Sequence, residues 1–183
     1  MVKVPFSRQE GFTFIEVVVF IVVTSIALVG VLALYQQATA RSADTIVSKQ
    51  AMEAGYAMLA EIQAMPFTYC DLSDPVAATA TSPSSCSSPQ GLTPQSGKAR
   101  GSLTAPFNNV GDYGGYSETG IADINGNAVP SLGAYILVVS LSSVAVAGVP
   151  SSDSVRIDVT VTGPSGPQTI SGYRMRHSPN AMP

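Results

Sequence analysis

The sequence predicts an α+β protein: one long N-terminal helix, its first half transmembrane and its second half amphipathic, packed on an antiparallel β-sheet. Three observations carry this. No proline interrupts Phe12 to Met65, the first part of that stretch is apolar all round, and Ser154 to Thr162 alternates strictly between apolar and polar residues. A chain of 183 residues has room for one compact domain beside a membrane segment. Charged residues make up only 11% and the net charge is -3, so there is no cluster of Lys and Arg to neutralise phosphates, and nucleic acid is excluded as a partner.

From Gly11 to Leu34 the chain reads GFTFIEVVVFIVVTSIALVGVLAL, with one carboxylate, Glu16, near the start. Val17 to Leu34 carries no charge, and at 1.5 Å per residue this stretch crosses roughly 27 Å, close to the hydrocarbon thickness of a bilayer. In water, the β-branched run Val17 to Val23 favours a strand, but an isolated strand in lipid leaves its backbone groups unpaired, so helix is expected. Lys3, Arg8 and the starting amine precede the run, which keeps the N-terminus cytoplasmic and turns the rest outward. A carboxylate in a spanning segment costs a few kcal/mol, about 2.5–3.5 near the middle and less near an edge, so Glu16 needs a partner and is a functional candidate.

Beyond Leu34 the helix continues. Val47, Ala51, Ala54, Met58, Ile62 and Met65 recur at spacings of three and four, while Arg41, Asp44, Lys49 and Glu53 fall largely elsewhere on the wheel. Pro66 ends the helix. The expected result is one helix of about 54 residues, roughly 80 Å long, whose second half needs a covering partner along one stripe.

Thr68 to Ser102 shifts to Ser, Pro, Thr, Ala and Gly and reads as loop. Cys70 and Cys86 fall in this exported part, where thiols pair, so a disulfide is expected over two free thiols. It closes a loop of about fifteen residues and contributes roughly 3 kcal/mol. Leu103 to Leu132 holds the turn dipeptides Asn108-Asn109, Gly114-Gly115 and Asn125-Gly126 and allows short strands at most. Ala134 to Val146 and Ser154 to Thr162 read as strands, the second with Val155, Ile157, Val159 and Val161 on its apolar face. Gly163 to Gly166 turns the chain and Gln168 to Arg176 pairs back. The apolar stripe of the helix is the large cover available to this sheet.

Catalytic chemistry finds no support. The single histidine, His177, lies in a polar tail between Arg176 and Pro179, without the base and orienting group that a hydrolase requires. Gly115-Tyr116-Ser117-Glu118-Thr119-Gly120 has one residue too many for a nucleophile elbow. Two cysteines and one histidine do not furnish four zinc ligands. Asp123, Asn125 and Asn127 alternate like the opening of a calcium loop, but Ala134 stands where its bidentate acid belongs, so a turn is expected. No metal and no cofactor is expected.

Two processing schemes compete. A secretory signal cut after Ala38-Thr39-Ala40 supplies a small-x-small site, but its apolar region is longer than the usual seven to fifteen residues and it leaves Glu16 unexplained. A cut after Gly11 leaves the helix attached and gives Glu16 a setting. The segment Gly11-Phe12-Thr13-Phe14-Ile15-Glu16, between a short basic leader and a long apolar run, resembles the type III signal of type IV pilins and type II secretion pseudopilins. A looser pattern, Ala51 to Met65 with Pro66-Phe67 and Cys70, then Asp112-Tyr113-Gly114-Gly115-Tyr116 before Tyr135, is similar to MshD-like minor pilins of the MSHA pilus system. One departure from many major pilins is the missing proline in the membrane helix, with Ala33 at its place.

The resemblance implies cleavage after Gly11 by prepilin peptidase, N-methylation of Phe12, and an N-terminal helix that packs into a filament core with other pilins. It divides the chain into a leader (1–11), a transmembrane helix half (12–34), an amphipathic half (35–65) and a globular pilin head (66–183). The protein then waits in the inner membrane before joining a cell-surface pilus or periplasmic pseudopilus. A minor pilin is the leading expectation and a type II secretion minor pseudopilin the alternative. A third is a membrane-anchored adhesin that stacks a glycan on Tyr113, Tyr116 and Tyr135.

Overall fold

The computed structural model describes residues 11–180, and for 40–43 the backbone only. The expected leader, with Lys3 and Arg8, lies outside the described residues apart from Gly11. One helix, α1, runs from Phe14 to Ala64 over 51 residues. Two compact units share it, divided between Asp44 and Thr45.

In the first unit, α1 is helical through the β-branched run and its side chains are exposed almost throughout. Its hydroxyls are satisfied within the helix. Thr24 and Ser25 donate to the carbonyls of Phe20 and Ile21 at 2.6 Å, and Thr39 donates to that of Tyr35 at 2.9 Å. These bonds remove the polar cost of placing such residues in an apolar medium.

In the second unit, α1 from Thr45 to Ala64 packs on a four-stranded antiparallel sheet in the order β1-β2-β3-β4. The strands are β1 (Ser117–Thr119), β2 (Ile136–Ser143), β3 (Ser154–Gly163) and β4 (Gly166–Met175). The helical stripe read from spacing is the covering face: Ala51, Met58 and Ile62 are buried, and Val47, Ala54 and Met65 pack against them. Val155, Ile157, Val159 and Val161 of β3 are fully buried opposite, with Leu137 and Val139 of β2 beside them. Two glycines set how closely helix and sheet approach. A Cβ at Gly55 would lie 2.6 Å from Ile170 Cδ1, and one at Gly172 would lie 2.9 Å from Leu59 Cδ1.

The boundaries differ from expectation in ways the chain explains. The helix stops at Ala64, not Met65, because the residue before a proline is driven out of helical angles. It begins at Phe14, where the single carbonyl of Thr13 accepts from the N–H groups of both Glu16 and Val17. β2 is shorter than Ala134 to Val146 because Val146 pairs with Val149 across its own tight turn, with Ala147 at φ 46° and Gly148 at φ 85°. β4 covers Gly166 to Met175 rather than Gln168 to Arg176, since the ladder with β3 closes at Gly163 and Gly166.

Between helix and sheet, residues 66–116 form a long irregular wrap with single 3₁₀ turns at Pro83–Ser85 and Val110–Tyr113. Cys70 and Cys86 are joined in a disulfide within this wrap. Asp123 accepts from the backbone N–H groups of Asn125 and Asn127 at 2.9 and 2.8 Å, which makes the calcium-like stretch a turn closed on its own carboxylate.

Candidate functional site

The first site residues sit where the apolar helix begins. Phe12, Glu16 and Phe20 are four residues apart and form one stripe, lining a shallow groove with Val17. Glu16 lies in the first turn, where the unpaired N–H groups and the helix dipole favour a negative charge. Its carboxylate is exposed and has no hydrogen-bond partner among the described residues. Gly11 is open, with nothing within 4 Å of where a Cβ would stand. Phe12 and Phe14 are 82% and 85% exposed, and the exposed apolar series continues to Leu34. Within α1 an 18-residue window reaches mean hydropathy 3.0, and among the described residues this is the one helix long and apolar enough to cross a membrane. A continuous apolar cylinder with a single acid at its entry can bury itself in lipid or against copies of the same cylinder, and the acid is the one side chain there that needs a cationic answer.

Residues 6–32 match the family model for the prokaryotic N-terminal methylation motif. That motif is the type IV pilin signal, and it spans 27 of the 183 residues, so the likeness to type IV pilins and pseudopilins rests on the N-terminal segment. No curated protein and no solved structure matches the chain significantly.

The head carries a second constellation that sequence reading missed. Lys98 reaches into the irregular wrap and its ammonium donates to Asp71 Oδ2, to Asn108 Oδ1 at 2.6 Å and to Asp112 Oδ2 at 3.3 Å. Its side chain is 11% exposed, against 3% for Asp71 and none for Asp112. Asp112 also accepts from the N–H groups of Asn108 and Asn109 at 3.0 and 3.1 Å and from Gln90 Nε2 at 3.2 Å. Three loop segments thus converge on one ammonium and one carboxylate. Burial pushes the Asp71 carboxyl up, but hydrogen bonds from Lys98 and Ser73 outweigh it and hold the group below its ordinary value.

A neighbouring network ties the wrap to α1. Arg100 grips Glu61 with two bonds of 2.8 Å, and Tyr113 donates to the same carboxylate at 2.8 Å. Glu118 lies 3.7 Å from Arg100 and accepts from Tyr116 at 2.9 Å. The hydrogen bonds to Glu61 raise the Arg100 pKa, and burial followed by the hydrogen bond to Glu61 raises that of Tyr113. These groups are structural in character: each charge is answered inside the cluster.

This overturns the glycan-stacking expectation. Tyr113 and Tyr135 are only 1% and 3% exposed, with Tyr135 donating to Gln50 Oε1 at 2.9 Å, and Tyr116 packs edge-on against Phe107. Tyr113 and Tyr135, sealed in this way, offer no face to a sugar, and the half-buried Tyr116 is left without the neighbouring rings that stacking was expected to use. His177 is exposed, and among the described residues no nucleophile lies within hydrogen-bond reach of its ring. The signal that would have located the Lys98 cluster is its isolation: between Glu53 and Arg100, Lys98 is the single cation in the sequence, beside three acids, which is too few charges for an ordinary solvated loop.

Proposed function

We propose that this chain is a minor type IV pilin, a structural or priming subunit whose N-terminal helix enters a filament core. In this reading residues 1–11 are removed by prepilin peptidase after Gly11 and Phe12 becomes the methylated N-terminus. Residues 12–34 hold the subunit in the inner membrane with its N-terminus cytoplasmic, residues 35–65 carry the head, and 66–183 face outward. The observation that carries the proposal is the matched methylation motif ending in a helix exposed on all sides, with Glu16 and Phe12 on one stripe. The minor-subunit assignment draws on the looser resemblance of residues 51–135.

Electrostatics supplies the driving logic. In the membrane Glu16 is poorly solvated, and on assembly its carboxylate meets the freed amine at Phe12 of a neighbour. A pair 4 Å apart at an effective dielectric near 20 attracts by about 4 kcal/mol before desolvation is subtracted. That selects one axial register, and apolar packing from Phe14 to Leu34 supplies cohesion.

Two measurements test this. Intact mass of the mature protein is expected to show a start at methylated Phe12, and a start at Arg41 would refute the proposal. Glu16→Ala is expected to leave membrane insertion and cleavage intact while reducing incorporation into filaments sharply. Normal incorporation, counted by immunogold labelling of surface filaments, would remove the register role.

A further inference from the structure

The hydroxyls along the exposed part of α1 are of two kinds. Thr24 and Ser25 lie inside the apolar run and donate to the carbonyls of Phe20 and Ile21 at 2.6 Å, so neither needs a partner from outside the helix. Tyr35 is different. Its carbonyl accepts from Thr39 at 2.9 Å, but its phenolic O–H, held away from the backbone by a rigid ring, meets no partner among the described residues. The side chain is 71% exposed. It stands directly after Leu34, the last residue of the uncharged apolar run, and directly before Gln36 and Gln37, both exposed.

A phenol buried without a hydrogen bond is costly, while its ring gains by leaving water. Both demands are met at one level of a bilayer, the headgroup region beside the hydrocarbon, where tyrosine is accordingly enriched. Axial spacing adds a second argument. Glu16 and Tyr35 stand roughly 28 Å apart along the helix, against about 30 Å of hydrocarbon. With the Tyr35 ring at the outer boundary, Glu16 comes to rest just within the inner one, where a carboxylate costs less than at the middle. A displacement outward by one turn, about 5.4 Å, carries Glu16 toward the middle. The same displacement inward drags the phenol into hydrocarbon. The two polar groups therefore act as opposed stops on one apolar rod.

We propose that Tyr35 docks on the outer-leaflet headgroup region of the membrane, its hydroxyl bonded to lipid ester or phosphate oxygens, and with Glu16 holds the unassembled subunit at one depth. This rests on the membrane-held pilin reading above and gives a partner to a side chain that the reading leaves without one.

The chain contains no tryptophan, so a single introduced one reports its own depth without background. Val29 is exposed on α1 and stands about 9 Å short of Tyr35 along the axis. The full-length chain carrying Val29→Trp is placed in phosphatidylcholine vesicles, alone and combined with Tyr35→Phe, which keeps the ring and removes only the hydroxyl. Its fluorescence is quenched by lipids brominated either near the ester or near the methyl end of the acyl chain. Without the outer stop the helix settles inward, which frees Glu16 into water and brings the indole toward the bilayer centre. Tyr35→Phe is therefore expected to raise the ratio of deep to shallow quenching by about twofold. An unchanged or lowered ratio overturns the proposal and leaves the membrane reading intact. If neither lipid quenches either chain, the helix lies outside the bilayer and both fall.

Discussion

Replacing Lys98 with methionine is the sharpest test of how the head is held together. Methionine keeps most of the stem's volume and removes the ammonium, which leaves Asp71 and Asp112 facing each other with no cation between them. Breaking a buried pair by removing one partner costs about 3–5 kcal/mol, because the remaining charge stays desolvated. The other donors to Asp112, from Asn108, Asn109 and Gln90, still pair its two oxygens, so the cost falls mainly on Asp71. With a urea slope of ~2 kcal/mol/M, the midpoint of the detergent-solubilised protein is expected to fall by roughly 2 M. The pH response distinguishes this cause from lost packing. Asp71 has a folded pKa below its ordinary 3.8, so it contributes stability that is present above that value and lost as pH falls through the folded one. That acid-side loss, developing below about pH 4, belongs to the protein with Lys98 and is expected to shrink in Lys98→Met. Adding Asp71→Asn to Lys98→Met is expected to recover part of the midpoint, since one orphaned charge disappears. A midpoint shift under about 0.5 M with an unaltered acid limb would refute the ionic account of this loop.

Two other substitutions probe backbone geometry. Gly114→Ala places a Cβ 1.9 Å from the Leu92 carbonyl oxygen, a backbone atom without freedom to withdraw, and is expected to destabilise the head by about 3 kcal/mol or more by denaturation. Ala147→Gly relieves a left-handed residue at φ 46° in an exposed two-residue turn, and a melting temperature raised in keeping with about 1 kcal/mol is expected; a lowered one would show that Ala147 is not strained.

The parts of the fold legible in the sequence were those governed by period. The stripe from Val47 to Met65 and the face of Val155, Ile157, Val159 and Val161 follow from helix and strand geometry alone, because each side chain's direction is fixed by its neighbours in sequence. The irregular wrap was legible only as loop. Lys98 meets Asp71 and Asp112 across 27 and 14 residues, and no local rule links positions so far apart without a regular backbone between them. Gly114-Gly115 shows the difference within one dipeptide. Gly115 has φ 78°, the left-handed angle that turn chemistry anticipates, whereas Gly114 has an ordinary φ of -67° and is glycine because Leu92 O comes so close. In the candidate site, Glu16 stood out because an acid in an apolar run violates its surroundings. The place of β4 at the edge of the sheet was invisible until strand order was known, since a terminal strand and an internal one can carry the same pattern.

The covalent tie between Cys70 and Cys86 also sets how far the head yields when tugged. An extended polypeptide lengthens by about 3.5 Å for each residue released, so the fifteen residues 71–85 represent roughly 50 Å of slack that stays locked away under load. Unravelling from the helix end therefore meets a hard stop at Cys70, after which tension passes directly to Cys86 and onward, and the enclosed segment keeps its contour until the bond is reduced.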